Sequence, residues 1–159
     1  MSGNVVFTVG SVLRGDDAAG PMLAKMLIDN PVEGWDVVDG GQTPEDDLAV
    51  IRRMDPDRIV LIDAAEMNLE PGAVRRLTEE DVSTQFLITT HSLPITFLLA
   101  ELYSVCSDVL FLGVQPGDTS FFEPLTPAVF ESLELLYDHI KTGADFNVYG
   151  AIEREARVD

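Results

Sequence analysis

The chain is 159 residues long, 46% hydrophobic, and carries 28 acidic against 10 basic residues, for a formal charge of -18. That length buries a substantial core without staples and reads as one domain over 1–159 with a polar tail from about residue 144. The charge repels a nucleic-acid backbone and an anionic membrane surface alike; it suits cations or a basic protein segment, although most such acids simply solvate the surface.

A single cysteine, Cys106, excludes an intramolecular disulfide and fits a reducing compartment. Its place between a helical pattern and a strand predicts a buried structural thiol. No apolar run reaches the length of a membrane span, and MSGN leads straight into a strand without a basic region or cleavage pattern, so a cytoplasmic protein with no membrane partner is expected.

The first apolar run, VVFTV from Val5, has the look of a strand buried on both faces, and it breaks at Gly10. The loop that follows ends in Gly15-Asp16-Asp17, and apolar residues resume at helical spacing with Met22, Leu23, Met26 and Leu27. The two acids therefore open a strand-to-helix crossover. Asp is a favoured N-cap, so at least one is predicted to cap the helix, leaving the other to face a ligand. Trp35 to Val38 is a second strand, stopping at Asp39-Gly40-Gly41. Thr43 as N-cap, Pro44 at the first helical position and Asp46 in a capping-box-like place then start a helix whose buried face is Leu48, Ile51 and Met54, closed by Asp55-Pro56.

Ile59 to Ile62 is a third strand, apolar throughout, and Asp63 stands at its carboxyl end. Gly72 to Leu77, with paired arginines, reads as an exposed edge strand; Glu79 to Ser83 fits a short helical turn and Phe86 to Ile88 a short strand feeding Thr89-Thr90-His91. Ile95, Leu98, Leu99 and Leu102 form the apolar stripe of a helix over Pro94–Val105, followed by a buried strand over Val109–Val114 that stops at Gln115-Pro116-Gly117. Thr126 and Pro127 start the last helix, with Val129, Phe130, Leu133, Leu136, Tyr137 and Ile140 inward and Gly143 past its end. From Ala144 the chain is polar and is predicted to be loosely held.

Strands alternating with helices define an α/β fold: a three-layer sandwich, with a mainly parallel twisted sheet of about five strands and helices on both faces. Ligands of such sheets bind outside the carboxyl ends of the strands, which is where Asp16, Asp17, Asp39, Asp63 and Gln115 fall; His91 comes from a loop able to reach the same edge. Two carboxylates and an imidazole suit a borderline divalent metal such as nickel or zinc, and Asp17, Asp63 and His91 can supply them. No HExxH or paired-cysteine spacing occurs, so spacing alone favours hydrogen-bonded acids and a structural loop histidine. His139, late in the last helix, reads as a partly exposed residue near a helix C-terminus. No GxSxG elbow appears, and Gly10, Gly15 and Gly20 do not form a phosphate-binding GxGxxG. A phospho-receiver signalling module shares the outline of early acids and a strand-ending aspartate, but Gln115-Pro116 stands where its lysine belongs.

Taken together, GDDAAGP at Gly15–Pro21, VVDGG at Val37–Gly41 followed by PEDD, LIDAAEMNLEPG at Leu61–Gly72, TTHSLP at Thr89–Pro94 and FLGVQP at Phe111–Pro116 resemble the hydrogenase maturation endopeptidases of the hydrogenase 3 type. The resemblance runs to about Tyr137. It implies a cytoplasmic, monomeric endopeptidase that removes a short C-terminal extension from the nickel-loaded precursor of a nickel-iron hydrogenase large subunit. It also implies that Asp17, Asp63 and His91 contact nickel carried by that substrate, with other divalent metals able to substitute in the free protein. Asp39 matches a further functional aspartate, a candidate general base; activation of water by the metal is the other open route. The family's Gly-Asn after the first strand is Gly10-Ser11 here. A binding chaperone that holds the precursor without shortening it is the non-enzymatic alternative.

Overall fold

The computed structural model describes residues 3–83, 95–143 and 145–152. The apolar runs form β1 (Asn4–Thr8), β2 (Trp35–Asp39), β3 (Arg58–Ala64) and β5 (Val109–Val114), and the arginine-bearing segment forms β4 (Val74–Leu77). The sheet order is β2-β1-β3-β5-β4, with the four apolar strands parallel and β4 antiparallel on the rim beside β5. Its helices are α1 (Ala19–Asp29), α2 (Leu48–Met54), α3 (Glu79–Ser83), α4 (Ile95–Val105) and α5 (Pro127–Lys141).

Successive side chains of a strand point to opposite faces, and β3 divides accordingly. Ile59 and Leu61 enter one core with Ile51 of α2 and Ile95, Leu98, Leu99 and Leu102 of α4. Val60 and Ile62 enter the other with Leu23 and Leu27 of α1 and Val129, Leu133, Leu136 and Ile140 of α5. Double-sided burial explains why the central strands are continuous apolar runs and confirms the three-layer α/β expectation.

Local details differ from the sequence expectations in four places. Phe130, expected inward on α5, is 43% exposed, because it lies off the stripe of Val129, Leu133, Leu136 and Ile140. Thr43 precedes a 3-10 turn over Pro44–Asp47 before α2 begins, and its side chain makes no capping bond. The third strand runs on through Asp63 to Ala64, so that Asp63 sits within the ladder opposite Gly113. The stretch after Gly143 is not loosely held over residues 145–152: Phe146 is buried in the core of α1 and α5, edge-on to Trp35, and Ala151 bridges to Arg76 of β4. The Phe86–Ile88 strand expectation lies outside the described residues. Cys106 is buried, its thiol donating to the carbonyls of Asp57 and Asp108.

Candidate active site

The carboxyl ends of the parallel strands carry the loops in which the candidate residues sit. After Thr8, the chain turns at Gly10, where a Cβ would come within 2.1 Å of the Asp17 carbonyl oxygen. It then reaches a 3-10 turn over Gly15–Ala18 that holds both acids. Gly15 has φ +50, and a Cβ there would meet the Asp118 carbonyl oxygen at 2.2 Å, so only glycine lets the first loop close against the loop after β5.

Neither acid caps α1. Its N-cap is Ala18, with no side-chain capping bond, because the 3-10 turn moves both carboxylates one turn ahead of the helix start. Their oxygens serve loops instead. Asp16, fully buried, accepts from the backbone N–H groups of Gly117 (2.7 Å), Asp118 (3.1 Å) and Thr126 (2.7 Å) and from the Thr126 hydroxyl (2.8 Å). Thr126 thus spends its side chain on Asp16 and none of it on capping α5. Asp17, also buried, accepts from the Ser11 N–H at 3.1 Å through Oδ2, closing the first loop on itself.

Asp63 is fully buried near the end of β3. Pleat alternation groups it with Leu61 and Ala65, on the face covered by α2 and α4. Asp39 ends β2 in register with Thr8, whose neighbour across β3 is Ile62. Its Oδ1 accepts from the Thr8 hydroxyl and the Gly41 N–H, both at 3.1 Å, and the residue is exposed. Alternation sets Asp39 with Val37 on the α1 face, with β1 between it and β3. Asp17, Asp39 and Asp63 therefore share one sheet edge, Asp39 and Asp63 on opposite faces of it. His91 lies outside the described residues, and among those that are described no group of three His, Cys, Asp or Glu side chains is placed to hold a metal ion. Beside Asp39, the Asp47 carboxyl is raised above its usual range by burial first, then by the charges of Asp46 and Asp39.

Gln115 has a structural role that sequence reasoning missed. Buried at the end of β5, it accepts from the backbone N–H groups of Met67 (2.7 Å) and Leu69 (3.2 Å) through Oε1 and donates through Nε2 to Glu66 (2.9 Å). It thereby shapes the segment that leaves β3 after Asp63. An amide, with donor and acceptor on one planar group, can satisfy both a carboxylate and two N–H groups; the only sequence signal was its position at the strand end. His139, the other histidine, is half-buried and bonds the Tyr149 hydroxyl, away from this edge.

Comparison with known proteins gives a consistent result. The hydrogenase maturation protease family profile matches residues 22–142. Hydrogenase 3 maturation protease of Escherichia coli (strain K12) is 36% identical over 138 residues, 87% of this chain and 88% of that protein. The solution structure of the endopeptidase HycI from Escherichia coli superposes with a TM-score of 0.87 at 33% identity, covering 96% of this chain and 97% of that one. A [NiFe] hydrogenase maturation protease HycI from Thermococcus kodakarensis superposes with a TM-score of 0.74 at 26% identity, covering 89% and 91%.

Proposed function

This chain belongs to the hydrogenase maturation protease family, and we propose on that footing that it reads nickel already held by its substrate before it cuts. It is a peptidase, an endopeptidase that processes the C-terminus of a hydrogenase large-subunit precursor. Family membership as an enzyme removes both the receiver and the non-cleaving chaperone readings. The finer reading is that cleavage occurs in the cytoplasm, by a monomer, on a precursor that carries nickel. The lone buried cysteine fits that compartment.

The observation that carries the nickel reading is that two acids, Asp17 and Asp63, stand at the carboxyl edge of a parallel sheet. Ligands of such sheets bind outside that edge, and carboxylates are oxygen donors that a substrate-borne divalent cation accepts. With His91, two carboxylates and an imidazole form a donor set that suits nickel, and the precursor's own ligands complete its coordination. Asp39 has the separate task of accepting a proton from the attacking water. Its two bonds, from Thr8 and Gly41, both fall on Oδ1 and fix the orientation of the carboxylate.

The test incubates the protein with nickel-loaded and nickel-free precursor and weighs the products. Loss of a short C-terminal peptide from the loaded form alone is the expected result; equal cleavage of both forms overturns the nickel reading. Asp17→Ala, Asp63→Ala and His91→Ala are each expected to lower processing at least about a hundredfold, the loss typical of removing a group that engages the reacting centre. Full activity in any of the three removes that residue from the site. Asp39→Asn, which keeps an acceptor oxygen for Thr8 and Gly41, is expected to lose turnover while still binding precursor.

A further inference from the structure

We propose that Val12, Leu13, Phe121 and Phe122 form the surface on which an apolar segment of the precursor, flanked by basic residues, docks beside the scissile bond. The inference rests on the protease reading above and assigns that site its protein-recognition surface. The four side chains are 69%, 49%, 61% and 82% exposed, and they come from the two loops that Asp16 ties together at the carboxyl edge of the sheet. Contiguous exposed apolar surface of this kind marks an interaction site, and aromatic side chains carry much of the binding at such sites.

The patch is one structure. The Phe122 N–H donates to the Leu13 carbonyl at 2.7 Å, the Phe121 and Phe122 rings lie 6.0 Å apart, and the Arg14 guanidinium sits 4.9 Å over the Phe121 ring. Arg14 also donates through Nε to the Thr119 carbonyl, a second link between the loops. Phe122 holds φ +68, a left-handed conformation that bulky residues avoid, while its ring stays in solvent. The loops are thus ordered before any partner arrives, which lowers the cost of docking.

Continuity with the candidate site and charge together identify the occupant. Leu13 donates to the Ser11 hydroxyl, and Ser11 donates to Asp17, so the patch is joined to the proposed nickel-reading acid through one residue. A formal charge of -18 repels a second copy of this chain and any acidic segment, and attracts basic residues beside an apolar stretch.

The test compares wild-type protein with the double variant Phe121→Ser, Phe122→Asn, the asparagine being chosen because it tolerates positive φ. Ile28→Ser, an exposed apolar position at the far end of α1, is the control. KM and kcat are measured on nickel-loaded precursor, Kd by calorimetry, and oligomeric state by sedimentation. The double variant is expected to raise KM and Kd at least about tenfold, with the loss falling on KM and not on kcat, and Ile28→Ser to match wild type. KM and Kd within about twofold of wild type, or a fall in kcat at constant KM, overturns the proposal. So does a wild-type dimer that the double variant converts to monomer without a change in Kd. Where the double variant fails to fold, Val12→Ser with Leu13→Ser is judged by the same criteria. If wild type binds precursor without cutting it, the protease reading fails and the Kd comparison alone decides the patch; if it neither binds nor cuts, both fall.

Discussion

Asp16 and Asp17 are chemically identical neighbours with different employment. Four donors converge on Asp16, three of them backbone N–H groups from the loop that follows β5. Removing that carboxylate takes the acceptor from four part-buried hydrogen bonds at once, which is more costly than losing one. Asp16→Ala is therefore expected to cost about 3 kcal/mol, lowering Tm by roughly 6–12 °C in calorimetry. A drop of less than about 2 °C shows that the loops are tied together by other contacts. At this scale the sequence was only partly legible. The motif resemblance separated Asp17 from Asp16, but local chemistry pointed at least one of the two to helix capping, and neither caps α1. Nothing in the sequence pairs Asp16 with Thr126, since their contact spans 110 residues and follows no period. Gln115 is the same case: its place at a strand end was visible, but its hold on Met67 and Leu69 depends on how the chain leaves β3.

Elements were legible to the extent that burial writes a pattern. The central strands β1, β3 and β5 are covered on both faces and stand out as apolar runs, whereas β2, at the sheet edge, is only partly buried; β5 was delimited over Val109–Val114. Helices α4 and α5 were legible from apolar stripes of helical period, and β4 from its paired arginines, which read as an exposed edge strand, although its Val74 and Leu77 are buried. The segment after Gly143 was misread because it has no period: Phe146 and Ile152 anchor it, one in each core, with exposed Val148 between them. Phe146 fills a site edge-on to Trp35, at a ring separation of 6.1 Å, with the Arg58 guanidinium 5.2 Å over its ring. Asp145 caps the short turn there by accepting from the Asn147 N–H. Tyr149, its hydroxyl bonded to His139, has its pKa pushed up to about 12 by burial. Phe146→Ala is expected to cost about 3 kcal/mol, read from the midpoint of a urea transition. A midpoint equal to wild type means that the segment contributes nothing to the fold.

For the whole molecule, a charge of -18 acts on folding and on partner choice in opposite senses. Like charges on one compact body repel, and salt screens them within about 10 Å at 0.1 M. Raising sodium chloride from about 0.02 M to about 0.3 M is expected to raise Tm by a few degrees while weakening the affinity for a basic precursor segment. Calorimetry and a binding titration on the same samples check this; a Tm that falls with salt shows that specific ion pairs outweigh general repulsion. The pairing of Arg76 with the C-terminal segment bears on the molecule as a whole in another way. The outer rim of β4 is occupied: the Arg76 N–H donates to the Gly150 carbonyl at 2.9 Å, and Ala151 completes a parallel bridge. A bare strand rim is a template for strands of other molecules and a starting point for fibres. The segment over 145–152 thus works as a stopper on the sheet, and a molecule trimmed before Asp145 would keep its five strands and its acidic edge yet present an adhesive border to its neighbours.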